Sequence, residues 1–241
     1  ALLAGGGYAA AVVVPAGLVL PIPDGLTYVE AASIPEVYAT AYLNLYMEAD
    51  LSIGEKVLLH AGASGVGTAA IQLLKYSKNP SFVTVGNADK LRRCRDLGAD
   101  SGFIRHDGSF LNAVSEWSGK SGVDVILDPV GANYFSDNIS CLGIDGRLVL
   151  IGLLGGQSAE LNMGFLMMKR ISVIGSTLRA RALPLKANIM DRLKEDVWPR
   201  FESKEILPVI EEVFPIEDAE KAHNLIAGNE TFGKVVLEIF R

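Results

Sequence analysis

The residues best suited to chemistry lie in one short stretch. The apolar run Val57-Leu58-Leu59 is followed by His60-Ala61-Gly62-Ala63-Ser64-Gly65-Val66-Gly67-Thr68 and then by an amphipathic segment. Small residues there let a backbone approach a pyrophosphate, and the N–H groups that open a helix face its negative charge. Ala63 stands where the dinucleotide fingerprint usually has a glycine. A glycine-rich loop alone is weak evidence. Its setting, directly after a strand and before a helix within alternating strands and helices, is the one the fingerprint requires. The plainer reading is a tight turn that binds nothing.

The next strand bears on which dinucleotide would fit. A site for NAD places an acid at the end of the second strand, about 20 residues on, to hold the ribose hydroxyls. Here the run 82–85 ends in Gly86-Asn87, and Lys90, Arg92 and Arg93 follow. Cations without an acid suit a 2′-phosphate, which favours NADPH. Asp89 suits a helix N-cap. The alternative for Lys90-Leu91-Arg92-Arg93 is a solvated helix face, which we accept for at least one arginine. Asp128-Pro129-Val130-Gly131 and Gly152-Leu153-Leu154-Gly155-Gly156 end two later strands. Both fall where ligands bind in open α/β sheets, although glycines there are also ordinary turn residues.

The elements that position these residues follow from periodicity. Apolar runs at 57–59, 82–85, 103–104, 123–127, 147–151 and 171–174 alternate with helical stretches at 66–76, 89–97, 110–117 and 134–141. That alternation implies βαβ units and a doubly wound parallel sheet. Pro35 suits the first turn of a helix reaching about Glu48. Residues 183–207 read as helical with a break at Trp198-Pro199, and the tail as strand, helix and strand, the last from Lys234 to Ile239. Residues 9–14 and 18–20 are β-prone and punctuated by Pro15, Gly17, Pro21, Pro23 and Gly25, so 1–27 read as the end of an all-β module.

Composition excludes other classes. The 241 residues carry 22 basic and 28 acidic side chains, a net charge of −6, and 49% are hydrophobic. An acidic chain lacks the basic footprint of a dedicated nucleic-acid binder, and its apolar content argues against disorder. No uncharged apolar run is long enough to cross a membrane. Cys94 and Cys141 cannot make a disulfide framework, and the two thiols suit a reducing compartment such as the cytoplasm. Cys94, Cys141, His60, His106 and His223 show no metal-ligand spacing and read as core or surface filler. The start, Ala1-Leu2-Leu3-Ala4-Gly5-Gly6-Gly7, has neither Met nor a basic region and reads as a chain entered in the middle.

Several motifs carry a family resemblance. Gly5-Gly6-Gly7-Tyr8-Ala9, Ile34-Pro35-Glu36 with Thr40-Ala41, the loop Ala61 to Gly67, Leu127-Asp128, Ser176 to Arg181 and Gly233 to Leu237 occur in this order. The chain thereby resembles zeta-crystallin-like quinone oxidoreductases of the medium-chain dehydrogenase/reductase superfamily, most of all the tumour-suppressor-inducible branch, over nearly its whole length. The resemblance implies a Rossmann NADPH-binding domain at 28–182. It also implies a partial GroES-like β-barrel domain built from the two chain ends, 1–27 and 183–241, with no catalytic zinc. It places Ala63, Ser64, Gly65, Val66 and Gly67 on the pyrophosphate, and Gly86, Asn87 and Lys90 near the 2′-phosphate. Thr40 would sit beside the nicotinamide, Val130, Gly131, Ile151, Gly152 and Leu153 along the adenine and nicotinamide sides, Leu178 near the carboxamide, and Lys234 at the phosphate end. Asn87 stands where relatives usually have Ser. Arg105 stands where they commonly have Tyr, and either replaces a phosphate contact or lies on the surface.

The activity implied is hydride transfer from NADPH to a quinone or related conjugated carbonyl, with no catalytic side chain identified. One alternative is a shortened NADPH-binding remnant with little turnover; another is a zinc-type alcohol dehydrogenase seen without its metal-bearing part. Most of the barrel, roughly ninety residues, is expected upstream of Ala1. The resemblance further implies a homodimer through the Rossmann sheet edge near Ile171 to Ser176, with Leu161 to Met168 as the neighbouring strand and Met163, Met167 and Met168 as adaptable filler.

Overall fold

Short apolar runs alternating with amphipathic stretches become strands joined by helices. The computed structural model describes residues 1–239. In chain order the elements are α1 (Tyr28–Ala32), α2 (Pro35–Tyr42), a π-helical turn (Leu43–Glu48), β1 (Val57–Leu59), α3 (Gly65–Ser77), β2 (Ser81–Val85), α4 (Ala88–Leu97) and β3 (Ser101–Ile104). They continue with α5 (Leu111–Ser118), β4 (Val123–Asp128), α6 (Ala132–Cys141), β5 (Leu142–Leu150), α7 (Met163–Lys169) and β6 (Ser172–Gly175). The last are α8 (Leu183–Asp196), α9 (Trp198–Glu202), β7 (Ile210–Pro215), α10 (Ala219–Ala227) and β8 (Lys234–Glu238).

The chain divides into two compact units. One comprises residues 43–63 and 70–176 and contains a six-stranded sheet in the order β3-β2-β1-β4-β5-β6. Every pairing in that sheet is parallel, and Leu58 of β1 lies between Phe82 of β2 and Ile126 of β4. The strand order reverses between β1 and β4, the arrangement of a doubly wound Rossmann sheet. Every residue of β1 and β2 is buried. Burial on both faces explains why these strands read as continuous apolar runs rather than alternating ones. Leu58, Phe82, Val123, Ile126 and Leu148 form the core with Phe110, Val114 and Ile139. Before β1, Glu55 accepts two hydrogen bonds from the Arg147 guanidinium, at 2.8 and 2.6 Å, and Arg147 also donates to the Ala49 carbonyl at 2.9 Å.

The other unit comprises residues 1–42, 64–69 and 177–241. Its core gathers Ile189, Met190 and Leu193 of α8 with Tyr38, Trp198 and Phe201. The Tyr38 and Phe201 rings meet edge to face at 4.9 Å. The Trp198 indole donates to the Pro21 carbonyl at 2.8 Å, and the Tyr42 hydroxyl bonds Asp196. Strands β7 and β8 pair in parallel across α10. At the front of the unit, Thr27 and Glu30 form a capping box on α1.

Three expectations are corrected. Residues 9–14 form no strand, and residues 16–18 form a 3-10 turn. β-prone side chains make a strand only beside a neighbour that completes the ladder, and no described strand flanks this run. The segment Leu161 to Met168 is not a strand beside β6: Asn162 caps a helix there by accepting from the Gly164 and Phe165 amides. Met163, Met167 and Met168 are exposed on that helix rather than filling a core.

Where the chain leaves β1, Ala61 adopts a left-handed φ of 55° and the Gly62 amide donates to the Thr84 carbonyl at 3.0 Å. A Cβ on Gly62 would stand 2.7 Å from the Val83 Cβ and 3.4 Å from the Cys94 sulfur. Packing against β2 and α4 therefore demands glycine here before any ligand does. Gly62→Ala should lower unfolding free energy by about 1–3 kcal/mol, the usual cost of overpacking, measured as a shift of the urea midpoint at constant m. An unchanged midpoint would contradict this reason for the glycine.

Candidate functional site

In a parallel sheet all strands end on one edge, and the loops there face a common space. At the end of β4 the Asp128 carboxylate is fully buried. It accepts from the Val130 amide at 2.6 Å, from the Gly131 amide at 3.2 Å and from the Asn138 side-chain amide at 2.9 Å. Burial pushes the Asp128 carboxyl up to about 6, and the three donors oppose that rise. Gly131 has a φ of 81°, and a Cβ on it would stand 2.9 Å from the Gly156 carbonyl. The loop after β5 closes onto this turn. Gly155 donates to the Val130 carbonyl at 2.7 Å, Leu154 to Pro129 at 3.2 Å, and Ala132 to Gly156 at 3.1 Å. Val130, Gly131, Ile151, Gly152 and Leu153 thus belong to one interlocked pair of loops.

At the ends of β2 and β3, Gly86 faces the Arg105 guanidinium: a Cβ on Gly86 would stand 4.0 Å from its Nε. Arg105 donates to the His106 ring at 3.2 Å. Asn87, not Asp89, is the N-cap of α4, and its side-chain oxygen accepts from the Lys90 amide at 2.9 Å. Asp89 instead pairs with Arg92, which also reaches Asp96, so Arg92 is the solvated arginine of that face. Lys90 is buried, contrary to a fully solvated face for this run. Ala63 closes the loop after β1 within the same unit and is buried.

Ser64, Gly65, Val66, Gly67, Thr40, Leu178 and Lys234 belong to the other unit. There the Ser64 hydroxyl accepts from the Gly67 amide at 3.0 Å, and the Thr68 amide donates to the Ser64 carbonyl at 2.8 Å. Ser64 bridges to Gly233, and a Cβ on Gly65 would strike the Lys234 side chain at 2.6 Å. The structure therefore brings the Lys234 stem onto the first turn of α3. Thr40 is buried in α2 and donates to Glu36 at 3.0 Å. Leu178 lies in the bend between β6 and α8 and is half-buried.

Sequence reasoning missed a group behind these loops. His60, read as filler, is buried and bonded through both ring nitrogens, Nδ1 to the Thr84 hydroxyl at 2.9 Å and Nε2 to the Asn138 oxygen at 2.7 Å. Its ring packs 4.9 Å from Phe110 and 4.7 Å from Tyr134. Residues 60, 84, 128 and 138 share no local spacing; the only sequence signal is a polar residue in or just after each of three strands, and Asn138 lies in a helix. Cys94 and Cys141 are buried, and burial pushes both thiols up to about 12, which leaves them without nucleophilic character. Among the described residues no three His, Cys, Asp or Glu side chains gather to hold a metal ion, and no helix is long and apolar enough to cross a membrane.

Burial lowers the His60 pKa to about 4. Between that value and the unfolded ~6.5 the unfolded chain binds a proton the folded one does not, so His60 withdraws stability as pH falls. Asp128 works in the opposite sense, because its raised value lets the folded state bind the extra proton. Removing the histidine should expose this balance. The destabilisation caused by His60→Gln, measured by urea unfolding, should shrink by about 1.4 kcal/mol per unit between pH 6 and 4.5. A pH-independent difference would contradict a buried neutral imidazole.

Known proteins share this pattern. A zinc-binding dehydrogenase family model matches residues 65–194. A highly reducing polyketide synthase of Cordyceps militaris is 32% identical over 90% of this chain, but the chain spans only 9% of that protein. A bovine quinone oxidoreductase-like protein 2 is 29% identical, over 90% of this chain and 62% of the relative. The quinone oxidoreductase from Thermus thermophilus, solved alone and with NADPH, is 31% identical with a TM-score of 0.84 over 97% of this chain and 74% of its own. The family match and the parallel sheet agree: the chain belongs to the zinc-binding dehydrogenase family of the medium-chain dehydrogenase/reductase superfamily.

Proposed function

We propose that the chain is the nucleotide-binding part of an NADPH-dependent oxidoreductase that passes a hydride to a quinone or related conjugated carbonyl. The observation that carries this reading is the pairing of Gly86 with the Arg105 guanidinium at the ends of β2 and β3, with Lys90 close behind and no acid ending β2. A guanidinium reads a phosphate through paired charge-assisted hydrogen bonds, whereas ribose hydroxyls call for a carboxylate. Arg105 and Lys90 would hold the 2′-phosphate. The first turn of α3 with Lys234 would face the pyrophosphate, and the interlocked turns at 130–131 and 151–153 would flank the adenine and nicotinamide. Thr40 and Leu178 would meet the nicotinamide end. Bound NADPH supplies two electrons as a hydride, and with one proton from water a quinone becomes a hydroquinone.

The reading includes the zeta-crystallin-like branch and a GroES-like catalytic domain to which residues 1–27 and 183–241 belong, with the Rossmann domain at 28–182. It includes a cytoplasmic location, in keeping with two free buried thiols, and pairing of two chains along β6, the last strand of the sheet. A second reading, reduction of an enoyl thioester, is favoured by the similarity to polyketide synthases. Both acceptors are conjugated carbonyl compounds.

Cofactor preference is measured by quenching of intrinsic fluorescence. NADPH should bind more tightly than NADH, and Arg105→Ala and Lys90→Ala should each weaken NADPH by about tenfold or more while leaving NADH nearly unchanged. Equal weakening of both would overturn the phosphate assignment. The acceptor is assigned by loss of NADPH absorbance with 1,2-naphthoquinone and with a crotonyl thioester in parallel. Turnover confined to the thioester would replace the quinone reading. Tight NADPH binding without turnover of either would indicate a binding remnant.

A further inference from the structure

Thr84, His60, Asn138 and Asp128 form one continuous chain of buried side chains, none of them among the residues assigned above to the dinucleotide. The direction of every hydrogen bond in it is fixed. Asp128, as a carboxylate, only accepts, from Val130, Gly131 and Asn138. Asn138 must therefore turn its NH2 to Asp128 and its oxygen to His60 Nε2, which has to carry the proton. His60 Nδ1 is then an acceptor, and the Thr84 hydroxyl donates to it. Thr84 also accepts the Gly62 amide on its backbone carbonyl. Asp128 in turn holds the turn onto which the β5 loop closes, through Gly155 and Leu154.

We propose that this chain is a positioning relay, which holds the loops ending β1, β2, β4 and β5 in one arrangement so that they meet the dinucleotide as a preformed set. Thr84, His60 and Asn138 are its positioning residues. The proposal rests on the NADPH reading for its purpose, but the relay itself is defined by the loops. An apolar set of similar volume would fill this space without the cost of burying a carboxylate, so the polar version does something packing alone would not. A fixed sequence of donors and acceptors admits one loop arrangement and penalises others by leaving a buried group unpaired. A ligand that meets preformed loops avoids the cost of ordering them.

The test uses Thr84→Val, which keeps the shape and removes the hydroxyl, Thr84→Ser, which restores it, and Asn138→Leu. Amide hydrogen exchange is followed by NMR, with Val149 in the sheet core as the internal control. Thr84→Val should speed exchange at the Val130 and Gly131 amides by about tenfold, although these lie far from it in sequence, while Val149 is unmoved and Thr84→Ser matches the unmodified protein. The same Thr84→Val should weaken NADPH by about tenfold in the quenching titration, with Thr84→Ser again restored. Wild-type exchange at Val130 and Gly131 in Thr84→Val overturns the relay, whatever NADPH does. If the unmodified protein fails to bind NADPH, the functional reading falls while exchange still decides the relay. Faster exchange with unchanged NADPH affinity would make the network a purely structural element and overturn its positioning role. Should Asn138→Leu not fold, Thr84→Val alone decides.

Discussion

A carboxylate with no exposed surface must find its hydrogen-bond donors inside the protein or give up its charge, and the carboxyl edge of this sheet is arranged around that demand at Asp128. Two backbone amides and one side-chain amide answer it. The backbone amides can do so only because the chain turns sharply after β4, with Gly131 at a positive φ that side chains rarely adopt. The side-chain amide can do so only if Asn138 of α6 points back at the strand ends, which commits its oxygen to His60. From one buried charge the geometry therefore spreads outward, to β1 through His60, to β2 through Thr84, and to β5 through the loop that closes over Val130.

The sheet was legible in the sequence because burial on both faces writes itself as runs with few or no polar residues, as in Val57-Leu58-Leu59 and Phe82-Val83-Thr84-Val85. The glycine loop was legible because it stands between such a run and a helix. The network was not, because its members are far apart in the chain and each looks ordinary alone; a histidine after an apolar run is filler until Thr84 and Asn138 are seen on either side. The runs at 9–14 and 161–168 misled for a related reason. β-propensity describes how a residue fits beside another strand, and local sequence does not say whether that strand exists. In the second case Asn162 offered a helix cap, and the cap prevailed.

Glycines in the loop after β1 serve different ends, which composition alone blurs. Gly62 is required by the close approach of β2 and α4. Gly65 lies beneath the aliphatic stem of Lys234, which passes over the start of α3 where a larger residue would push it away. The first is a packing requirement. The second is a contact between the first turn of α3 and the stem of a lysine from β8.

The choice of acceptor turns on protons. Hydride transfer to a quinone leaves charge on oxygen, which water can protonate without help from the protein. Reduction of an enoyl thioester leaves an enolate that must take its proton on the α-carbon, where a positioned acid speeds the second step. The buried titratable groups described at the sheet edge are poorly suited to be that acid. Both oxygens of Asp128 and both nitrogens of His60 are already bonded within the network, and burial holds the imidazole neutral. The two thiols are held protonated by burial and lie in the core. Asp128 and His60 are thus committed to holding loops in place, and an acceptor protonated by water asks nothing of them.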